Sequence, residues 1–353
     1  MASREGIPLF RNVLSHSFPP RGFRALLARC RMLTVSVYLA GAALIRAERN
    51  EMARNLQASP QWERIQRGWV TEDASADLTG FKSDERNFNI SLWSPEANGV
   101  RYLKTLVYQL ATSLGEADRE RLRRIGNREF GDPLTVRVDG EPVCLDYLQA
   151  VLELGFIRRR LGLDRARVLE IGAGYGRTCH AMLSNHDLAE YWIVDLTNTL
   201  RISREYLRAV LDDADFAKVR FVDVRDIDQV VGAERFDLCV NIHSFTEMTP
   251  ETVRDYLDLI DEKCAAFYVK NPVGKFLDPR LDGHFKGHEA VEEALRTGPL
   301  RRVLDIFDEQ AVASAVPEFV TAYQPGDGWD CVAHDRALPW SYFWQALYEN
   351  GGG

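Results

Sequence analysis

The sequence predicts an α/β fold. It has a doubly wound core with a mostly parallel sheet, an antiparallel C-terminal hairpin and an N-terminal, mainly helical extension. Three observations predict it. From Arg165 onward, short apolar runs alternate with helical stretches, as parallel strands and their crossover helices do. A glycine-rich turn, Gly172-Ala173-Gly174-Tyr175-Gly176, joins the first run to a helix. An acid, Asp195, ends the second run.

The elements follow in order. Residues 1–58 are expected to form an Arg-rich arm and an apolar helix: positions 1–60 hold nine Arg against three Glu. Met32–Ile45 is mostly apolar but shorter than the about 20 residues that cross a hydrocarbon core. No cleavage site follows it convincingly, so it reads as an amphipathic or buried helix. Residues 59–163 are expected to be a mainly helical cap. Within them Val70–Gly99 is polar apart from the apolar patch Ile90–Trp93, and helical spacing returns at Tyr102–Leu114 and Leu145–Leu161. Asp139-Gly140 marks a hairpin in Val136–Val143.

Residues 164–348 carry the core. Strands are expected at Val168–Ile171, Tyr191–Val194, Val219–Val224, Phe236–Ile242 and Ala265–Val269. Helices are expected up to Leu183, at Leu200–Leu211, and after Thr249 as N-cap with Pro250 in first position. Near the end, Phe319–Tyr323 and Trp329–His334 flank Pro325-Gly326-Asp327-Gly328 and predict the antiparallel hairpin at the sheet edge.

Composition narrows the function. With 46% apolar and 27% charged residues over 353 positions, the chain is globular and can bury a sizeable core. Its net charge of −8 argues against nucleic acid as the primary partner, a local basic groove aside. Six cysteines without a CxxC pair read as small buried hydrophobes of a reduced, cytoplasmic protein. No transmembrane segment is expected, and self-association stays open.

The chemistry concentrates at strand ends. In Glu170-Ile171-Gly172-Ala173-Gly174-Tyr175-Gly176-Arg177, the glycines allow a sharp turn and close approach of a ligand, and the helix beyond offers unpaired N–H groups. Asp195, nineteen residues after Gly176, is suited to accept both hydroxyl hydrogens of a ribose. After the third strand, Asp223 and Asp226 are candidates to accept from an adenine amino group. After the fourth comes Asn241-Ile242-His243-Ser244-Phe245-Thr246-Glu247-Met248, beyond a strand's carboxyl end, where ligands of such sheets bind.

The dinucleotide fingerprint GxGxxG is not met, because the third glycine falls one place early. The pattern E-x-G-x-G-x-G resembles instead motif I of class I S-adenosylmethionine-dependent methyltransferases, with a Rossmann-like core. That resemblance implies that Glu170 helps hold the methionine end of the cofactor, that Gly172, Gly174 and Gly176 line it, and that Asp195 holds its ribose. Asn241 joins the same set. Val168–Leu183 (VLEIGAGYGRTCHAML), Tyr191–Asp195, Asn241–Met248 and Tyr268–Lys275 are more specifically similar to the sugar O-methyltransferase family. Asn98–Leu106 and Cys144–Phe156 extend the likeness upstream, to roughly residues 80–275. It implies S-adenosyl-L-methionine as cofactor and a small sugar or glycoside as acceptor, with the helical region as its cap.

His243 is then expected as the general base that takes the hydroxyl proton, with Glu247 to orient or charge-balance it. N- or C-methylation of another small metabolite is the alternative. No metal is expected. His284 and His288 are spaced as helix ligands would be, but Gly287 weakens a helix, and Asp282 and Glu289 would not share a face with both. Trp62, Trp69, Trp93, Trp340 and Trp344 lie outside these strands. They read first as packing and second as platforms for a sugar.

Overall fold

The computed structural model describes residues 37–46, 59–69, 82, 84–91, 94–282 and 287–351. Most of the Arg-rich arm, Cys30, Trp93 and His284 therefore lie outside the described residues. The chain divides into one unit up to residue 97 and another from residue 98 onward.

In the first unit residues 37–46 are helical. So is α1 (Pro60–Gly68), whose Ser59 N-cap accepts from Trp62 N–H at 3.3 Å. After a short helix at Phe88–Ser91 comes α2 (Pro95–Ser113), most of which belongs to the second unit and which kinks at Asn98. No helix among the described residues is long and apolar enough to cross a membrane.

Beyond α2 the second unit continues with α3 (Glu116–Arg124) and a small hairpin, β1 (Thr135–Val138) with β2 (Glu141–Cys144). Asp139 (φ +52°) and Gly140 (φ +83°) make its turn, both left-handed as a type I′ turn demands. Helix α4 (Leu145–Arg158) leads into the main sheet. Its members are β3 (Arg167–Ile171), β4 (Glu190–Asp195), β5 (Val219–Asp223), β6 (Leu238–Ile242), β7 (Ala266–Pro272), β8 (Trp329–Arg336) and β9 (Phe343–Asn350). The order across the sheet is β5-β4-β3-β6-β7-β9-β8, with β9 antiparallel to both neighbours and the other pairings parallel. This is the mostly parallel, doubly wound sheet the sequence predicts, edged by an antiparallel hairpin.

Parallel strands covered on both faces need apolar residues on both, and the two sides of each strand enter different cores. Val168, Tyr191, Ile193, Leu238, Val240 and Tyr268 pack with Leu148 and Val151 of α4, Cys179 and Met182 of α5 (Arg177–Leu183) and Leu207 of α6 (Thr197–Val210). Their sequence neighbours Leu169, Ile171, Trp192, Val194, Cys239, Phe267 and Val269 face the opposite core. There they meet Val253, Leu257 and Ile260 of α7 (Pro250–Lys263) and Val312 and Phe319 of α8 (Glu309–Ala322). Thr249 caps α7 as expected, its hydroxyl accepting from Thr252 N–H at 3.2 Å. Cys144, Cys179, Cys239 and Cys264 are buried free thiols, and Cys331 is half-buried.

One strand assignment is corrected. Phe319–Tyr323 is not a hairpin strand; Phe319–Ala322 closes α8. Val312, Ala315, Val316 and Phe319 are buried at helical spacing, and Asp308 caps the helix by accepting from Gln310 and Ala311 N–H. The β-branched and aromatic residues there suggest a strand, but burial on one helical stripe outweighs that local preference. The true partner of β8 is β9.

Candidate functional site

The chain runs outward from β3 through β4 to β5, then returns to add β6 on the other side of β3. The carboxyl ends of β3 and β6 therefore diverge, and such a switch point is where an open α/β sheet forms its ligand crevice. The glycine turn leaves β3 at this point, and the segment with His243 leaves β6.

The three glycines answer three different demands. All have positive φ: +75° at Gly172, +59° at Gly174 and +95° at Gly176. A Cβ on Gly172 would stand 2.2 Å from Ser244 Oγ, so this glycine admits the chain after β6. One on Gly176, the N-cap of α5, would press Leu207 of α6 at 2.9 Å. A Cβ on Gly174 meets no heavy atom within 4 Å. Gly174 alone of the three faces open space.

Asp195 lies beside it. Its Oδ2 accepts from Gly174 N–H at 3.0 Å and its Oδ1 from Leu196 N–H at 2.7 Å. Each carboxylate oxygen keeps a second lone pair. A ribose held there would meet an acid already fixed in place, and the residues fit an adenosyl cofactor.

Several of the other expected cofactor residues are already engaged within the protein. Glu170 is buried, accepts from Tyr191 Oη–H at 2.8 Å, and has its pKa raised to about 7 by burial. Asp223, opposite Asp195 in the β4–β5 register, accepts from the Arg225 guanidinium at 2.8 and 3.0 Å and from Thr197 Oγ1–H at 2.5 Å. Those bonds, Arg225 first, hold its carboxyl well below the usual range. Asp226 is exposed on the following turn. Asn241 is fully buried and ties three strands together. Its Nδ2 donates to Ile171 O at 3.0 Å and to Ser244 Oγ at 2.6 Å, and its Oδ1 accepts from Asn271 Nδ2 at 3.2 Å.

His243 follows β6 at once. Its backbone is left-handed (φ +70°), and its N–H donates to Lys270 O at 2.9 Å. Its half-exposed ring stacks on Phe343 at 5.4 Å between centroids and 20° between planes. A non-glycine residue held at positive φ costs energy, and such strain clusters at functional sites. Glu247 lies 3.7 Å from His243 Nδ1, but through a 3-10 turn (Ser244–Thr246) rather than a helix.

Sequence reasoning missed a buried ionic bridge between α4, the start of α5 and β7. Glu153 of α4 pairs with Arg177 Nη2 at 2.9 Å and with Lys270 Nζ at 2.7 Å. Burial alone would raise the Glu153 carboxyl, but the two cations hold it below its ordinary value, whereas burial lowers Lys270. The available signal was polar residues in apolar settings: Glu153 on a buried helix stripe, and Lys270-Asn271 in a strand buried throughout. Among the described residues, no cluster of three His, Cys, Asp or Glu could hold a metal ion, and His288 opens a short helix, His288–Ala294.

No protein-family model matches the chain, and no curated protein matches it. Solved structures do resemble it at low identity. The methyltransferase domain of bacterial CtHen1 is 12% identical, with 57% of this chain and 97% of that one covered and a TM-score of 0.40. The glycopeptide N-methyltransferase MtfA is 18% identical, with 57% and 89% covered and a TM-score of 0.37. TrmK of M. capricolum, in complex with S-adenosyl-homocysteine, is 8% identical, with 56% and 67% covered and a TM-score of 0.33.

Proposed function

We propose that the protein transfers a methyl group from S-adenosylmethionine to a hydroxyl of a sugar or glycoside. The observation that carries this is the meeting, at the switch point, of a glycine facing open space with a pre-bonded acid, Gly174 and Asp195. When bound, the cofactor supplies a sulfonium methyl that is already a strong electrophile, so the chain's task is to position. Gly172, Gly174 and Gly176 shape the loop, and Asp195 accepts from the ribose hydroxyls. Glu170 helps hold the methionine end, Asn241 fixes the start of the loop through Ile171 O, and Asp223 stands on the adenine side.

A sugar hydroxyl is a poor nucleophile, and removing its proton during attack contributes about 10²–10⁴-fold. His243 takes that proton, Glu247 balances the resulting charge, and no metal takes part. Residues 164–348 act as the catalytic domain, 59–163 as the acceptor cap and 1–58 as an arm, in a cytoplasmic enzyme. A half-exposed imidazole just past β6 supports a hydroxyl acceptor over N-methylation of another small metabolite, because an amine bound neutral needs no base; C-methylation stays the alternative.

The test is calorimetry with S-adenosylhomocysteine, followed by incubation with S-adenosylmethionine and a panel of methyl glycosides. Binding and a product heavier by one CH₂ are expected. Absence of S-adenosylhomocysteine binding, or tight binding of NAD in its place, would rule the assignment out.

A further inference from the structure

Beside His243 a second group of side chains, none from the glycine loop, forms one connected wall. Gln149 of α4 is its centre. Its Oε1 accepts from Lys270 Nζ at 2.9 Å and from Trp340 Nε1 at 3.2 Å. Two donors converging on that atom decide which end of the amide is oxygen, since an NH₂ group accepts from neither. The NH₂ must therefore point away from both. Among the described residues Nε2 makes no hydrogen bond, nor is it sealed from solvent as a buried unpaired atom.

The wall continues toward the proposed base. Lys270 Nζ lies 5.8 Å from the Phe343 ring centre, and His243 stacks on that ring. Lys270 is 3% exposed and ion-paired to Glu153, so it offers no free charge to a ligand. What this wall presents is a fixed neutral donor beside flat aromatic rings.

We infer that Gln149 and Trp340 recognise the acceptor, and that Lys270 is the positioning residue that sets the Gln149 amide. The Gln149 NH₂ donates to an oxygen of the acceptor, and the half-buried indole of Trp340 gives it an apolar face. An uncharged ring bearing hydroxyls fits. Gln149, Trp340 and Phe343 carry no charge and Lys270 is already paired, so these four side chains offer a charged acceptor no counter-ion. This assignment rests on the methyl-transfer function proposed for the same site.

The decisive variant is Gln149→Glu. It keeps an oxygen for Lys270 and Trp340, so a purely structural role would be preserved, but it replaces the NH₂ donor with a second acceptor. Gln149→Leu removes both functions. Binding of methyl hexopyranosides and methyl deoxyhexopyranosides to the S-adenosylhomocysteine-loaded protein is followed by saturation-transfer NMR, and S-adenosylhomocysteine binding itself by calorimetry. Both variants should bind S-adenosylhomocysteine within about twofold of wild type, and both should lose about tenfold in glycoside affinity, as for one neutral hydrogen bond. Wild-type glycoside affinity in Gln149→Glu would overturn the inference. So would a wild type that binds S-adenosylhomocysteine but no glycoside of the panel. A wild type that fails to bind S-adenosylhomocysteine overturns methyl transfer itself, which separates the two failures.

Discussion

Gly174 gives the cleanest separation of folding from cofactor binding. At Gly172 an added Cβ would stand 2.2 Å from Ser244 Oγ, and at Gly176 2.9 Å from Leu207, so substitutions there disturb packing whatever the ligand. At Gly174 an added Cβ would meet no heavy atom within 4 Å, leaving only the φ of +59° as a folding cost. A left-handed L-residue costs about 1–2 kcal/mol. For a unit of this size, that lowers the melting temperature of Gly174→Ala by about 2–8 °C. Gly174→Val adds a branched side chain that projects into the open space beside Asp195. It should weaken S-adenosylhomocysteine binding at least about 100-fold, or roughly 2.7 kcal/mol. Thermal melts establish that each variant is folded, and calorimetry reads the affinity. A folded Gly174→Val that binds like wild type would refute the placement of the cofactor against this glycine.

Four further outcomes are expected. Asp195→Ala should weaken the cofactor by about 1.5–3 kcal/mol, the range for hydrogen bonds to a charged group, and calorimetry showing an unchanged affinity would exclude the ribose role. His243→Ala should lower turnover about 10²–10⁴-fold with cofactor affinity nearly unchanged; a retained rate places the base elsewhere. Turnover should survive dialysis against EDTA, whereas loss with recovery on Mg²⁺ would bring Glu247 with Asp223 or Asp226 forward as ligands. Glu170 has a folded-state pKa of about 7 against an ordinary 4.5, so folding favours its protonated form. Its contribution to stability is complete below about pH 4.5 and is lost as pH rises through about 7. Glu170→Gln, neutral throughout, should therefore gain on wild type across that window by up to about 3 kcal/mol, and a melting difference that stays constant from pH 5 to 8 counts against it.

The sheet was legible because parallel strands buried on both faces leave short apolar runs between turn signals, as Val168–Ile171 and Tyr191–Val194 do. Its limits were harder to see where polar residues sit inside strands. The expected end of β7 at Val269 falls short of Pro272 because Lys270 and Asn271 look like loop residues, yet both are buried and bonded. At the other end of β6, the strand begins at Leu238, and Phe236 makes only an isolated bridge to Cys264. Trp344, placed outside the strands by its sequence context, lies in β9.

Within the site, the order of glycines and acids revealed the loop, but not which acids would be consumed internally. The clamp of Arg225 on Asp223 is local and readable in hindsight. The bond from Trp340 to Gln149 joins residues 191 positions apart, which no periodicity reports. The same holds for Lys270 and Glu153, whose opposite charges become meaningful only once α4 crosses the sheet.

The position of β9 carries a consequence for how the molecule is assembled. β8 comes earlier in the chain, yet it joins the sheet solely through β9, which inserts between it and β7. A nascent chain that has reached Arg336 thus holds an edge strand with nothing to pair against, and β7 keeps one open side. Ala346, Leu347 and Tyr348 are completely buried, so the late strand is a keystone rather than a trim. Non-local closure of this kind slows folding and leaves strand edges exposed in the meantime. Removing 343–350 would split the sheet instead of shaving its border, and the half left open would be a template for aggregation.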